Sequence, residues 1–393
     1  MKIDFQNTEV AFAMKSNADL KKAYILFKTI GSPTIVKIGN KLLNLALKIN
    51  FPISWAVKPT IYNHFVGGES IVDCNPVVRK MEPFHVGAIL DYSVEGKDAP
   101  EDIQNALEET LRAIENAGKD SNIPFCVFKP TAFTTGTVLE KVSMGWDLTP
   151  EEEVEAQGFR DRVHKLCETA HANDIPILID AEDSWYQNFI DDVTNANMAE
   201  FNKDKAIVFN TFQMYRHDRL EFLKKSYQMA IDGGYYLGAK FVRGAYMEKE
   251  RARAEEKGYE DPIQPDKEAT DRDYNLALKF CVEHIEKIKV FNGTHNEYST
   301  QYLVDLMKEH GLAKDDDRLW FSQLYGMSDN LSFNVGKAGY NVAKYLPYGP
   351  VKHVMPYLLR RAEENTSAQG QSGRELTLVL TEMQRRKKSK HKS

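Results

Sequence analysis

The stretch AIVFNTFQMYRHDRLEFLKKSYQMAIDGGYYLGAKFVRGAY, Ala206 to Tyr246, holds one β–α–β unit, and its reading sets the reading of the whole chain. AIVFNTFQM (206–214) and KFVRGAY (240–246) are short runs of apolar, β-rich residues, each ending in a polar group. Between them, 216–232 carries apolar residues at helical period. Strands that are apolar along their length, rather than alternating, are buried on both faces, as in a parallel sheet covered by helices. Six further runs of the same kind follow the same rule: VGAILDYSVEG (86–96), FCVFKPTAF (125–133), PILIDAED with its neighbours (175–183), IKVFNGTHN (288–296), LWFSQLYGM (319–327) and NVAKYLPYG (341–349). Helical period occupies 101–118, 151–173, 266–287 and 298–311, more weakly 328–338, and again from about 351. Eight strand-then-helix units predict an α/β fold, a (βα)8 barrel of the TIM type. A doubly wound open sheet is the rival. Eight units with no glycine-rich phosphate turn after the first strand weigh against it.

Around this core the reading places an N-terminal helical arm (1–64), a catalytic barrel (65–370) and a C-terminal helix with a basic tail (371–393). The chain has 393 residues, 42% apolar and 27% charged, ordinary globular values. A net charge of −6 favours solubility and argues against nucleic acid as a partner. Cys74, Cys126, Cys167 and Cys281 are far apart and show no CxxC spacing, so neither a zinc knuckle nor a disulfide framework is expected. MKIDFQNTEVAFAMKS reads as neither a signal peptide nor a mitochondrial presequence, and no run is apolar enough to span a bilayer. A cytoplasmic protein is expected. The ending RRKKSKHKS is a basic tail of the disordered kind, suited to peripheral association with the inner face of a membrane.

In such barrels the chemistry sits where strands end. The residues there are Asp91, Lys129, Asp180 with Glu182, Gln213, Lys240 with Arg243, Thr294 with His295, Gln323 and Tyr345, all polar. For Thr294 and Asn296 taken singly, capping of the next helix is the better explanation. A lysine and a carboxylate ending strands at one barrel mouth, Lys129 and Asp180, are better explained as working groups. No HxH at a strand end, HExxH or Walker loop occurs, so no metal is expected. A Schiff-base lysine at Lys129 stays open. Near the end, PYLLRRAEEN puts Tyr357 four residues from Arg361 and brings Arg360 and Arg361 within reach of Glu364 on one helix. That is a solvated charged face or a braced fork for a carboxylate or phosphate. Together these groups suit a small carboxylate-bearing substrate beside a large anionic cofactor.

The blocks FVGGES, ILDYSVEG, VFKPTAF, LIDAED, FNTFQMY, AKFVRGAYMEKERA, GTHN, QLYGM and YLPYGPV…PYLLRRAEEN, in this order from about Phe65 to Asn365, resemble the proline dehydrogenases. The resemblance leans to the mitochondrial branch, and the chain reads as a monofunctional bacterial relative. What it implies is a distorted (βα)8 barrel that oxidises L-proline to Δ1-pyrroline-5-carboxylate, with hydride passing from proline C5 to N5 of FAD. By position it implies that Arg360 and Arg361 hold the proline carboxylate, with Glu364 as their brace and Glu69 as a gate paired to one arginine. Tyr345, Tyr357 and Leu324 then line the ring pocket. Lys129 and Asp180, with Ala181 beside them, lie between substrate and flavin, and Lys129, Asp180 and Tyr345 are the catalytic set. Gln213, Lys240, Arg243, Gly244, Ala245, Tyr246, Thr294, His295 and Gln323 fall where the family contacts FAD. Two departures stand out. Lys240 replaces the arginine of compact bacterial members, and SAQGQSG (367–373) is poor in the aromatics that cover the adenine end. The resemblance also implies a quinone as electron acceptor and a separate pyrroline-5-carboxylate dehydrogenase for the product. Alternatives are a hydroxyproline-preferring sibling, a flavin-free amino-acid sensor and a lysine aldolase.

Overall fold

The computed structural model describes residues 2–48, 53–94, 99–366 and 371–390. Among them lie eight strands: β1 (Val86–Tyr92), β2 (Cys126–Phe128), β3 (Ile177–Ile179), β4 (Val208–Gln213), β5 (Leu237–Val242), β6 (Ile288–Gly293), β7 (Leu319–Leu324) and β8 (Val342–Tyr348). They form one sheet in the order β1-β8-β7-β6-β5-β4-β3-β2, and every registered pair is parallel. With a helix after each strand, this is the expected (βα)8 barrel topology. Along the chain it divides into two compact units, residues 96–322 and residues 2–95 with 323–393.

In the unit 96–322, β2 (CVF) and β3 (ILI) are short, wholly apolar and buried throughout. The ring of Phe125, just before β2, meets Phe209, Phe291 and Trp320 edge-on at 5.1–5.7 Å between centroids. This aromatic plug fills the N-terminal end of the strands, where barrel residues serve stability. The helix Pro150–Ala172 starts where its sequence says it must. Thr149 and Glu152 form a capping box, Pro150 takes the first helical position, and three acidic residues occupy the first turn.

The unit 2–95 with 323–393 pairs β1 with β8 from Val86–Val342 to Tyr92–Tyr348. Its helices share an apolar core of Leu20, Phe27, Phe65, Val354, Leu358 and Val379, all at most 2% exposed. The basic ending is not a free tail. The last helix runs Gln371–Lys390, because Glu382 on it is fully buried and accepts from Thr8, Arg385 and Arg386. Arg386 also donates to the carbonyl of Phe12. Two of the five basic residues of this ending that lie within the helix, Arg385 and Arg386, thus serve packing rather than solvent.

Among the helices that escape the periodicity, two follow strands directly. Ser184–Phe201 and Met247–Lys257 both lie after strands whose downstream segments show no clean apolar stripe. The first buries Gln187, Asp191, Thr194, Asn195 and Asn197, and the second buries only Glu250 and Ala254.

Candidate functional site

Strand register dictates the central feature of the unit 96–322. Phe128 pairs with Ile179, so Lys129 and Asp180 leave β2 and β3 side by side. Ile179 pairs with Asn210, and Thr211 with Lys240, so Asp180, Thr211 and Lys240 fall in one row. Side chains on alternate strands of a barrel share a layer. Accordingly Asp180 is bridged on both sides, Oδ2 accepting from Lys129 Nζ at 3.3 Å and Oδ1 from Lys240 Nζ at 2.5 Å. Lys240 is 5% exposed and lies in mid-strand, not at a strand end, because β5 begins at Leu237 and ends at Val242. The row carries two ammonium groups and one carboxylate.

The segment after Asp180 is held as firmly. Gln213, the last residue of β4, donates Nε2 to the Glu182 carbonyl at 2.6 Å. The Glu182 carboxylate accepts from Thr131 Oγ at 2.7 Å and from Tyr246 OH at 3.4 Å. Ser184 gives its amide (2.7 Å) and hydroxyl (2.5 Å) to the buried Glu250 carboxylate, which burial shifts upward in pKa. Ala181 is half-buried within this tied loop.

Arg243 follows β5 directly and is fixed on every side. Its Nε donates to Asp271 at 2.7 Å, Nη1 to Thr294 Oγ1 at 2.8 Å and Nη2 to Ser299 Oγ at 3.0 Å, while its plane lies 4.4 Å from the Tyr274 ring centroid. Asp271 is held below its usual pKa range by Lys267 and Arg243, against the opposing effect of burial. Gly244 has φ +130°, and a Cβ there would sit 2.5 Å from the Tyr215 ring, so only glycine makes this turn. Gly244 and Ala245 are exposed, and Tyr246 and His295 are half-buried. A preset guanidinium beside a turn that offers bare main chain fits a phosphate-bearing anionic group.

In the unit 2–95 with 323–393, Tyr345 lies inside β8, three residues before its end, and is 7% exposed. Tyr357 and Arg361 stand one turn apart on the helix Met355–Thr366, with the guanidinium carbon 5.1 Å from the ring centroid. Arg361 is 7% exposed and Arg360 half-buried. Leu324 packs half-buried on the same apolar core as Tyr357 and Leu358. Gln323 accepts from Ser332 Oγ at 2.6 Å, and Asp91 from Ser93 Oγ at 2.7 Å. Glu69 is ion-paired with Lys58 of the short helical segment Lys58–Tyr62. Glu364 lies outside the residues whose side chains are described, as do residues 367–372 of SAQGQSG.

Sequence reading missed Asp271, Tyr274 and Ser299, which orient Arg243 from helices, and Glu250, which holds Ser184 in the segment after β3. Asp271 is 28 residues from Arg243 and Glu250 is 66 from Ser184. No spacing rule links pairs so far apart.

The proline dehydrogenase family model matches residues 74–374. Mitochondrial proline dehydrogenase 1 of Dictyostelium discoideum is 30% identical over 431 residues, covering 98% of this chain and 75% of that protein. Its namesake in Drosophila melanogaster is 39% identical over 335 residues, covering 82% of this chain and 48% of that one. Proline utilization A (PutA) from Bdellovibrio bacteriovorus, inactivated by N-propargylglycine in its crystal structure, superposes with a TM-score of 0.73 at 20% identity, over 92% of this chain. The chain spans 38% of that protein and about half of the Drosophila one.

Proposed function

This chain belongs to the proline dehydrogenase family, and from that premise we propose that it oxidises L-proline to Δ1-pyrroline-5-carboxylate with FAD as the bound acceptor. One observation carries the reading above the others: the Lys129–Asp180–Lys240 row, a fixed arrangement of two cations about one carboxylate that strand register alone assembles. Bound FAD supplies the two-electron acceptor that no side chain can provide.

The remaining work falls to the chain. In this reading Arg360 and Arg361 grip the proline carboxylate as a bidentate fork, and Glu364 braces them. Tyr345, Tyr357 and Leu324 enclose the ring and fix the direction in which C5 faces, so that binding energy becomes alignment. Gln213, Lys240, Arg243, Gly244, Ala245, Tyr246, Thr294, His295 and Gln323 hold the cofactor. Arg243 is suited to this because its partners orient it before any anion arrives. Lys129 and Lys240 stabilise negative charge that develops nearby, and Asp180 keeps both ammonium groups aimed. Pre-set dipoles and charges of this kind need no reorganisation during the reaction. Ala181 and Glu69 complete the substrate set.

Electrons then pass to a quinone at a membrane surface. No helix among the described residues is long and apolar enough to cross a membrane. The helix Gln371–Lys390 supports peripheral association through its exposed Lys387 and Lys388. The product, a cyclic imine, goes to a separate pyrroline-5-carboxylate dehydrogenase.

Anaerobic titration with L-proline, followed through the visible spectrum, tests the reading. The purified protein should be yellow, and proline should bleach it stoichiometrically. A colourless protein, or a yellow one that proline leaves unchanged, overturns the proposal.

A further inference from the structure

Lys344 is fully buried in β8, one residue before Tyr345, and successive strand residues point to opposite faces. An ammonium group has three donors and no acceptor. Here all three are used: Nζ donates to the Met327 carbonyl at 2.5 Å, to the Leu324 carbonyl at 3.3 Å, and pairs with Asp329 Oδ1 at 2.9 Å. Two of the three acceptors are main-chain carbonyls of one loop, the turn from β7 into the helix Asp329–Lys337. The first of them belongs to Leu324.

Every part of that loop is fastened from a different part of the unit. Asp329 Oδ2 pairs with Lys15, near the N-terminus, at 3.0 Å. The Ser328 amide donates at 2.6 Å to Glu375, which is 6% exposed on the last helix. His64 Nε2 meets the Gly326 carbonyl at 2.9 Å, and the Tyr325 amide donates to the Tyr345 carbonyl at 2.8 Å. Such over-determination is needed, because Ser328 is a non-glycine residue at φ 49° and Gly326 sits at φ 81°. Residues in that region persist only when their surroundings impose it. Neither Lys344, Asp329 nor Glu375 is accounted for by the substrate or cofactor assignments above, and a buried lysine joined to two carbonyls is an expensive way to hold an ordinary turn.

We propose that Lys344 is a positioning residue that fixes the Leu324–Ser328 loop, and with it the apolar wall against the substrate ring, so that the clamp sets which ring size the enzyme accepts. The inference rests on the proline-oxidising reading, with Leu324 as part of that wall. On the front of β8 Tyr345 faces the ring; on the back Lys344 locks the loop that carries Leu324. Releasing the lock gives the wall room to retreat. In an apolar pocket, room for one methylene is worth about 10- to 200-fold in discrimination.

The test compares kcat/KM for L-proline with that for its six-membered homologue, L-pipecolate, in wild type, Lys344→Met, the pair Lys344→Met with Asp329→Asn, and Glu375→Gln. The paired variant removes the Lys344–Asp329 pair as a whole, leaving only Lys15 without its counter-charge, and Glu375→Gln, which keeps every charge of that pair, loosens the loop from the other side. The expected result is a rise in proline KM, kcat within about threefold of wild type, and a proline-to-pipecolate ratio at least about tenfold smaller, with flavin absorbance retained. Hydrogen exchange at the amides of residues 326–328 should speed up in the same variants. A merely structural role predicts equal losses for both substrates; an unchanged ratio in folded variants overturns the proposal. If the wild type oxidises no proline, the functional reading fails. The exchange rates then decide separately whether the clamp exists.

Discussion

Replacing Arg361 by methionine removes a guanidinium while keeping most of the apolar stem that packs beside Tyr357. The side chain is 7% exposed and lies 5.1 Å over the tyrosine ring, so a carboxylate it grips is bound where water is scarce. A hydrogen bond to a charged group contributes about 1.5–3 kcal/mol, so a two-pronged grip is worth roughly 3–6 kcal/mol. At about 1.4 kcal/mol per factor of ten, Arg361→Met should lower kcat/KM for proline by roughly 10²- to 10⁴-fold. The fork binds the carboxylate equally before and during reaction, so the loss should appear mainly in KM. Arg361→Lys, which keeps the charge but not the fork, should fall between the two. Loss of the stacking contact adds a stability decrement of about 0.5–2 kcal/mol, small enough for the variant to fold and stay yellow. Steady-state kinetics across a wide proline range, with flavin content measured on the same samples, makes the comparison. Unchanged proline saturation in a yellow Arg361→Met protein would refute the clamp.

Asp191 is 3% exposed and accepts from Gln187, Asn210 and Arg219 at 2.8–2.9 Å, so Asp191→Ala leaves two buried amides and one guanidinium N–H unmet, while Arg219 keeps its pair with Asp218. A stability loss of about 1–3 kcal/mol is expected from the unmet buried donors, read from the urea midpoint. Gly244→Ala forces a side chain into φ +130° against Tyr215, and purified variant should carry clearly less flavin than wild type at a cost of at least ~1–3 kcal/mol in stability. Burial, aided by the charge of Lys15, pushes the His64 ring down to about 3. Its folded pKa lies below the unfolded value of about 6.5, so the stability it contributes is present above that pH and is lost as pH falls toward 3. His64→Gln keeps a donor for the Gly326 carbonyl without titrating, and its urea midpoint should fall less steeply across this window.

The barrel was legible because its strands are buried on both faces, which writes an apolar run into the sequence eight times over. Helices with a clean stripe were legible too. Ser184–Phe201 was not, since its buried face carries Gln187, Asp191 and Asn197: Asp191 accepts from Asn210 and Arg219 on other elements, while Gln187 and Asn197 donate within the helix itself. Met247–Lys257 was hidden by charge, with Glu250 turned inward to Ser184. The basic ending reads as a free tail until Glu382 and Thr8, 374 residues apart, are brought together.

The sequence by itself determined the number of β/α units, the polar residues that follow the strands and the motif blocks that mark the family, because each is local: a run, a boundary or a short string. Only the tertiary structure decided that Asp180 lies between Lys129 and Lys240, that Asp271 and Ser299 fix Arg243, that Glu69 pairs with Lys58, and that Lys344 closes on Leu324 and Met327. These follow from strand register and from where buried charges find partners. Register and burial are properties of the packed chain, so no window of sequence contains them.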